Sequence, residues 1–393
     1  MLDGQKITVL GGGLGGFTAA TALAQRGAEV TVLEQAGRIA EVGAGIQLSP
    51  NGVAVLDALG LGGEARNRAM RNRAVRLVDG ITGRDVIRMD VGYLRPAQTF
   101  LLFHRADLID ILHQAAVAAG VKVETCARVT RVDIGQAGAF VEVEGQGLRE
   151  APFLVGADGL HSKVRDAIEG SPTEARAPFF TGMVAWRALV PGDGTEAAEA
   201  VVRMGPKRHM VSYPLRGGSL INLVAVEERT EWAEEGWFNR DDPDNLRRAF
   251  AGFGSEAQSL LSQADKVHVW GLFRHPVART WHRGPAAILG DAAHPTLPFL
   301  AQGAVMALED AWVLAECLDD KGMTDGPALY QARRQLRVER VIEAANNNAR
   351  NYHLKNPLAK ALGFGALRLA GAVRPEFVLG QYDWIYDHDV TKG

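Results

Sequence analysis

A chain of 393 residues, 47% of them hydrophobic, can bury a large core, and the length suggests two domains or one elaborated domain. The formal net charge of −3 argues against nucleic acid or an anionic membrane as the main partner. No uncharged apolar run is long enough to span a bilayer, no signal peptide fits before Lys6, and Cys126 and Cys317 form no metal or redox motif, so they read as buried thiols of a cytoplasmic protein.

Lys6 to Leu10 is a short β-branched run, as a buried parallel strand requires. Gly11, Gly13 and Gly16 follow in GxGxxG spacing, then a predicted helix over Phe17–Arg26 closed by Gly27, then a second strand over Glu29–Leu33. In such a βαβ unit the first glycine permits a tight turn and the second clears space for a pyrophosphate. The third lets helix and strand pack closely. Backbone N–H groups and the positive helix end would then hold phosphates. Glu34 ends the second strand, about 20 residues on, where a carboxylate accepts from ribose hydroxyls. An acid there repels a 2′-phosphate, so this site suits FAD or NAD rather than NADP.

Further along, Ser49 and Asn51 flank Pro50 as a capped helix start. A helix is predicted over Ala106–Ala119 and strands over Phe153–Ala157 and Ala286–Leu289. Between Thr181 and Val226 the pattern changes. Met183–Leu189, Ala200–Met204, His209–Leu215 and Leu220–Val226 read as strands with no helices between them, an antiparallel sheet inserted into the nucleotide domain. On one of them His209 and Tyr213 are four apart and share a face. Near the end, a strand stops at Gly290-Asp291 and a helix begins after Pro298. Asp291 is placed to accept from a ribitol hydroxyl, which a nicotinamide dinucleotide lacks, although Gly-Asp also occurs in ordinary strand-to-loop turns. Long helices are predicted over Ala301–Leu318 and Pro327–Arg350. Leu358–Leu379, carrying Lys360, Arg368, Arg374 and Glu376, reads as an amphipathic helix and turn packed on the protein. The expected fold is α/β. Its Rossmann-like FAD-binding domain takes residues 1–70, 100–175 and 276–350, the antiparallel-sheet substrate domain takes 71–99 and 176–275, and 351–393 forms a C-terminal helical segment.

Together, the glycine loop, Gly156-Ala-Asp-Gly-Leu-His-Ser-Lys-Val-Arg165 and Leu289-Gly-Asp-Ala-Ala-His-Pro295 resemble the group A FAD-dependent aromatic hydroxylases of the p-hydroxybenzoate hydroxylase fold. The resemblance spans nearly the whole chain. It is finest to the branch holding salicylate hydroxylase, 3-hydroxybenzoate 6-hydroxylase and 6-hydroxynicotinate 3-monooxygenase. Three stretches carry that: Gly43–Asn51, Ala301–Asp310 and Tyr382–Asp389. It implies tight, non-covalent FAD, NADH or NADPH as co-substrate, and O₂, with a C4a-hydroperoxyflavin delivering the hydroxyl group to a small aromatic acid of salicylate type. For salicylate itself the products would be catechol and CO₂. It implies FAD contacts at Gly11, Gly13, Leu14, Gly15, Gly16, Glu34, Gln35, Arg105 (in His104-Arg-Ala-Asp-Leu108), Asp158, Arg165, Gly290, Asp291, Pro298, Gly303 and Ala304. It also implies that His209 is the base that deprotonates a phenol and that Tyr213 lines the pocket beside it. Gln47, Phe299 and Gln302 would face the substrate or flavin. Gln47 and Phe299 stand where the 6-hydroxynicotinate enzyme has histidines, which favours a carbocyclic ring. Arg187, Arg208 and Arg274 are unranked candidates for a substrate carboxylate, with Arg187 equally readable as a sheet-edge charge, and His294 is given a structural role. A heteroaromatic or purine hydroxylase and a non-hydroxylating NADH-oxidising flavoprotein are the competing readings. A monomer or homodimer without integral membrane association is expected.

Overall fold

The computed structural model describes residues 2–39, 44–135, 138–170, 177–229, 231, 239–353 and 356–392. Its first layer is a six-stranded sheet in the order His282–Arg283, Ala286–Ile288, Phe153–Gly156, Lys6–Leu10, Glu29–Leu33, Lys122–Glu124. All its pairs are parallel except that of the edge strand His282–Arg283. Val9, Val32, Leu154, Val155 and Ile288 are fully buried, which is why these strands read as continuous apolar runs rather than alternating ones. Helices Leu14–Ala24 and Arg105–Ala118 pack beside this sheet. The first starts earlier than Phe17, because Gly15 and Gly16 fold into its opening turn, and it ends at Ala24 rather than Arg26.

The second layer is an eight-stranded sheet in the order Arg240–Asp241, Val267–Arg274, Phe179–Pro191, Leu220–Glu228, Arg208–Leu215, Glu199–Gly205, Ala74–Asp79, Asp85–Met89. It is antiparallel but for one pair, Glu199–Gly205 with Ala74–Asp79, where a distant segment of chain joins the meander in parallel. Phe179–Pro191 is an interior strand, bonded on both sides, so Arg187 is not an edge charge. Two three-stranded sheets complete the β-structure among the described residues.

Four local expectations change. The helix after the late turn begins at Gly303, because Ala301 takes φ 53°, and it runs to Tyr352 with its backbone broken at Gly322 (φ 73°). Ser49 sits at an N-cap position, yet its hydroxyl donates to Asn51 Oδ1 at 2.6 Å instead of capping the helix. Cys317 is buried, but Cys126 is exposed, held at φ 55°. The C-terminal segment forms Pro357–Val373 and Pro375–Gly380; Phe364, Val378 and Leu379 pack inward, while Leu358, Leu362, Leu369, Val373 and Phe377 face solvent. No helix among the described residues is long and apolar enough to cross a membrane.

Candidate active site

A cavity of about 410 Å³ opens between the two large sheets, and its walls draw on the glycine loop, the middle and late motifs, strand Arg208–Leu215 and the terminal stretch. One end is built from glycine turns. Gly11, at φ 105°, lies against the Ala157 carbonyl, where a Cβ would collide. A Cβ on Gly16 would collide with the Gly11 carbonyl, so the helix start and the turn can meet only through glycine. Gly13 differs: nothing lies within 4 Å of where its Cβ would stand, and it lines the cavity together with Leu14 and Gly15. The first-turn amides of Leu14–Ala24 lack intrahelical acceptors and bring the positive helix end to the same wall.

Glu34 serves this loop from behind. Its Oε2 accepts from Gly12 N at 2.7 Å and its Oε1 from Ala36 N at 2.8 Å, and each oxygen keeps a second lone pair. Gln35 is exposed beside it. Asp158 and Arg165 likewise stand behind the wall that Ala157 and Gly159 present. Asp158 accepts from Ser162 Oγ at 2.6 Å and Lys163 N at 2.7 Å, fixing the next helix start; burial nonetheless pushes its carboxyl up. Arg165 donates to Leu160 O at 2.7 Å and Ala292 O at 3.3 Å, tying the middle segment to the late turn.

The late turn is held by a buried charge network. Gly290 (φ 58°) donates its N–H to Asp310 Oδ2 at 3.0 Å, and Asp310 also bonds His294 Nε2 and Arg334 Nε. Burial pushes Asp310 up, but His294 and Arg334 outweigh it and bring the carboxyl down to about 2. Arg334 also meets Glu309 at 2.7 Å, and Asn51 Nδ2 donates to Glu309 at 2.7 Å. Gln302 belongs to this network rather than to the cavity wall: its amide bonds Ser49 Oγ at 2.9 Å and Asn51 Nδ2 at 3.3 Å. Removing one charge here leaves its partners buried and uncompensated. Asp310→Asn is therefore expected to cost about 3–5 kcal/mol in denaturant unfolding. Because Asp310 is depressed in the folded state, its contribution is present above the unfolded carboxylate value and is lost as pH falls toward about 2. The wild type should lose stability across that window, and the variant should lose less.

Asp291 is exposed to the open cavity, and desolvation by the enclosing walls raises its carboxyl against the pull of His294, Arg105 and His275. Arg105, Pro298, Gly303 and Ala304 line the same cavity. A desolvated acceptor facing open space, a glycine cradle and a helix N-terminus form a donor and acceptor set that fits FAD: amides for pyrophosphate, carboxylates for ribose and ribitol hydroxyls.

The other end is aromatic and apolar. His209 and Tyr213 both line it from strand Arg208–Leu215, with Val211, Val224, Val226, Leu297 and Phe299. Gln47 reaches it from strand Gly45–Leu48, where Gly45 N donates to Asn222 Oδ1 at 2.7 Å. A Cβ on Gly45 would sit 2.6 Å from the Tyr213 ring, so glycine is what lets this strand press on it. Gly43 of the same stretch lies outside the described residues. Of the three arginines, Arg187 alone lines the cavity, its guanidinium 4.5 Å over the Trp270 ring. Arg208 pairs with Glu227 at 3.1 Å, and Arg274 lies over Phe179. Burial lowers the His209 imidazole well below its ordinary value, and His353 lowers it further; burial raises Tyr213, so its hydroxyl stays a donor.

Sequence reasoning missed four residues at this end. Tyr352 and Tyr386 line the cavity, and His353 and Glu228 stand behind His209. Tyr386 lies within the terminal stretch quoted above, which docks through Asp383 to Arg95 at 2.9 Å and through Arg337 to the Trp384 and Ile385 carbonyls. No spacing rule marks the others, because they reach the site only through tertiary contact.

The profile of the FAD binding domain family matches residues 5–345. The chain is 34% identical over 395 residues to 3-amino-4-hydroxybenzoate 2-monooxygenase PtmB3 of Streptomyces platensis, covering 98% of this chain and 96% of that protein. It is 35% identical over 358 residues to 3-hydroxybenzoate 6-hydroxylase of Polaromonas naphthalenivorans, covering 88% of each. Among solved structures, a substituted form of HpxO from Klebsiella pneumoniae complexed with FAD superposes with a TM-score of 0.82 at 25% identity, over 96% of this chain and 98% of that one. The chain belongs to the FAD-binding-domain family of flavoprotein monooxygenases and, within it, to the group A aromatic hydroxylases.

Proposed function

We propose that this aromatic hydroxylase acts on a hydroxylated benzoate, using FAD, NAD(P)H and O₂. The observation that carries the substrate class is the pairing of Arg187 and His209 on one apolar cavity, a cation for a carboxylate and a base for a phenol. FAD, when bound and reduced, would activate O₂ as the electrophile; the protein's task is to orient the ring, exclude water and raise its electron density. Phe299, Leu297 and the valines sandwich an apolar ring. Tyr213 donates toward a developing phenolate, and His209, neutral at pH 7, takes its proton. Two relatives named for hydroxybenzoates support this ring class, and Phe299, an apolar wall 5.8 Å from the His209 ring, offers a ring nitrogen no partner.

NADH oxidation by FAD-loaded protein, with a panel of hydroxybenzoates and hydroxypyridines and products read by mass, tests the reading. Stimulation with one oxygen added to a hydroxybenzoate supports it, and CO₂ release singles out salicylate-type chemistry. Best turnover on a hydroxypyridine moves the assignment to a heteroaromatic ring, and oxidation indifferent to every aromatic removes hydroxylation. Arg187→Met should raise KM for the acid by roughly 10- to 100-fold, the loss of one charge-assisted pair. Equal weakening toward the matching phenol without a carboxyl group would remove Arg187 from that role. We place the enzyme in the cytoplasm, as a monomer or homodimer, on the support of its two free cysteines and modest charge.

A further inference from the structure

Behind His209 stands a chain of groups that the proposed hydroxylation does not by itself require. His209 Nδ1 and His353 Nε2 are hydrogen-bonded at 2.7 Å, and His353 Nδ1 meets Glu228 Oε1 at 3.2 Å. Both imidazoles are buried, whereas the Glu228 side chain is 28% exposed at the end of its strand. The three groups thus run from the cavity wall to the surface. Two come from neighbouring strands and the third, His353, directly follows helix Gly303–Tyr352, a join across 144 residues.

We infer that His209, His353 and Glu228 form a proton relay that carries the phenolic proton from the cavity to solvent. The need for it is electrostatic. A buried His209 that simply kept the proton would become a cation where burial disfavours one. With His209 Nδ1–H donating to His353 Nε2, and His353 Nδ1–H donating to Glu228, His209 Nε2 is left as the base for a cavity ligand. The phenol O–H bond breaks as the His209 Nε2–H bond forms, and the ring oxygen keeps the electron pair. The Nδ1 proton of His209 passes to His353 Nε2. The Nδ1 proton of His353 passes to the Glu228 carboxylate and on to water. Nothing is oxidised, and the same path run backwards protonates the departing product and restores the starting tautomers.

Few other titratable groups meet this line among the described residues. Tyr352 lies 5.2 Å from the His209 ring, its hydroxyl held protonated by burial. Glu227 points to the opposite face of its strand and is bridged to Arg208 and Arg229. Strand Glu199–Gly205 places Met204 opposite His209, and strand Phe179–Pro191 places Met183 opposite Glu228. His353 and Glu228 are positioning and relay residues; only His209 would touch substrate.

This inference rests on the hydroxybenzoate reading, and holoenzyme with bound 3-hydroxybenzoate separates the two. Ionisation of the bound phenol is followed by ultraviolet difference spectra across pH, alongside the pH profile of hydroxylation. His353→Gln and Glu228→Gln should keep FAD and ligand affinity, move ionisation of the bound phenol to higher pH by about one unit, and slow hydroxylation roughly tenfold or more near pH 7. The deficit should shrink as pH rises and the phenol ionises unaided. Glu228→Gln, partly exposed, guards against misfolding of the buried variant. Unchanged phenol ionisation in both variants, or a loss of rate equal at every pH, would overturn the relay and leave His209 as base. Insensitivity of His209→Ala as well, or no binding of the ligand by wild type, would remove the hydroxybenzoate reading, and the relay with it.

Discussion

Gly13→Val is expected to purify as a folded but colourless protein, with FAD affinity weakened more than ~1000-fold, about 4 kcal/mol. Gly13 has φ −84° and ψ −172°, an extended conformation open to any residue, and a Cβ there meets nothing within 4 Å. Valine therefore leaves the fold unstrained and fills only the space a pyrophosphate would use. Gly16→Ala is the contrasting case. Its new methyl would collide with the Gly11 carbonyl, so both flavin and stability should fall together. Thermal unfolding of the apoprotein and flavin absorbance after reconstitution separate the two outcomes. A Gly13→Val protein that takes up FAD with wild-type affinity would place the pyrophosphate elsewhere.

Gly11 and Gly16, by contrast, show what a sequence can carry. A turn that tolerates only glycine writes itself into spacing, because no other residue satisfies the geometry, and the flanking strands end in buried apolar pairs, Val9-Leu10 and Val32-Leu33. The late Gly290-Asp291 turn was legible for the same reason. His209 and Tyr213 could be placed on one face by strand alternation alone. What spacing does not encode is which distant groups stand behind that face. Gln302 follows a turn at the cavity's edge, yet its amide is taken by Ser49 and Asn51 from the other end of the chain. Asp310 and Arg334 look like polar positions on long helices until the fold buries them against Gly290. Arg187 could be ranked above Arg208 and Arg274 only once its strand was seen to be interior and its side chain to line the cavity, which the other two do not. Cys126 was read as buried because thiols usually are, yet it stands exposed with a left-handed backbone, φ 55°.

His209→Ala should reduce substrate hydroxylation by about 10²- to 10⁴-fold, the range for loss of a general base, while reduction of bound FAD by NADH changes only a few fold. The split follows from position. His209 lies at the aromatic end of the cavity with Tyr352 and Phe299, away from the glycine turns and Asp291. Its pH signature follows from burial. An imidazole lowered below its ordinary value stays neutral, and so remains a base, below pH ~6.5, so the acid limb of kcat/KM in the wild type should fall below that pH. Because His209 and His353 share a hydrogen bond, the value read belongs to the pair. In His209→Ala that limb should vanish and the residual rate should climb with pH as the free phenol ionises, near ~10. Rapid-mixing measurement of flavin reduction and of product formation, each across pH, gives both halves of the test. Equal losses in the two steps would make His209 a residue that supports the cavity; an acid limb left in place would put the base on another side chain.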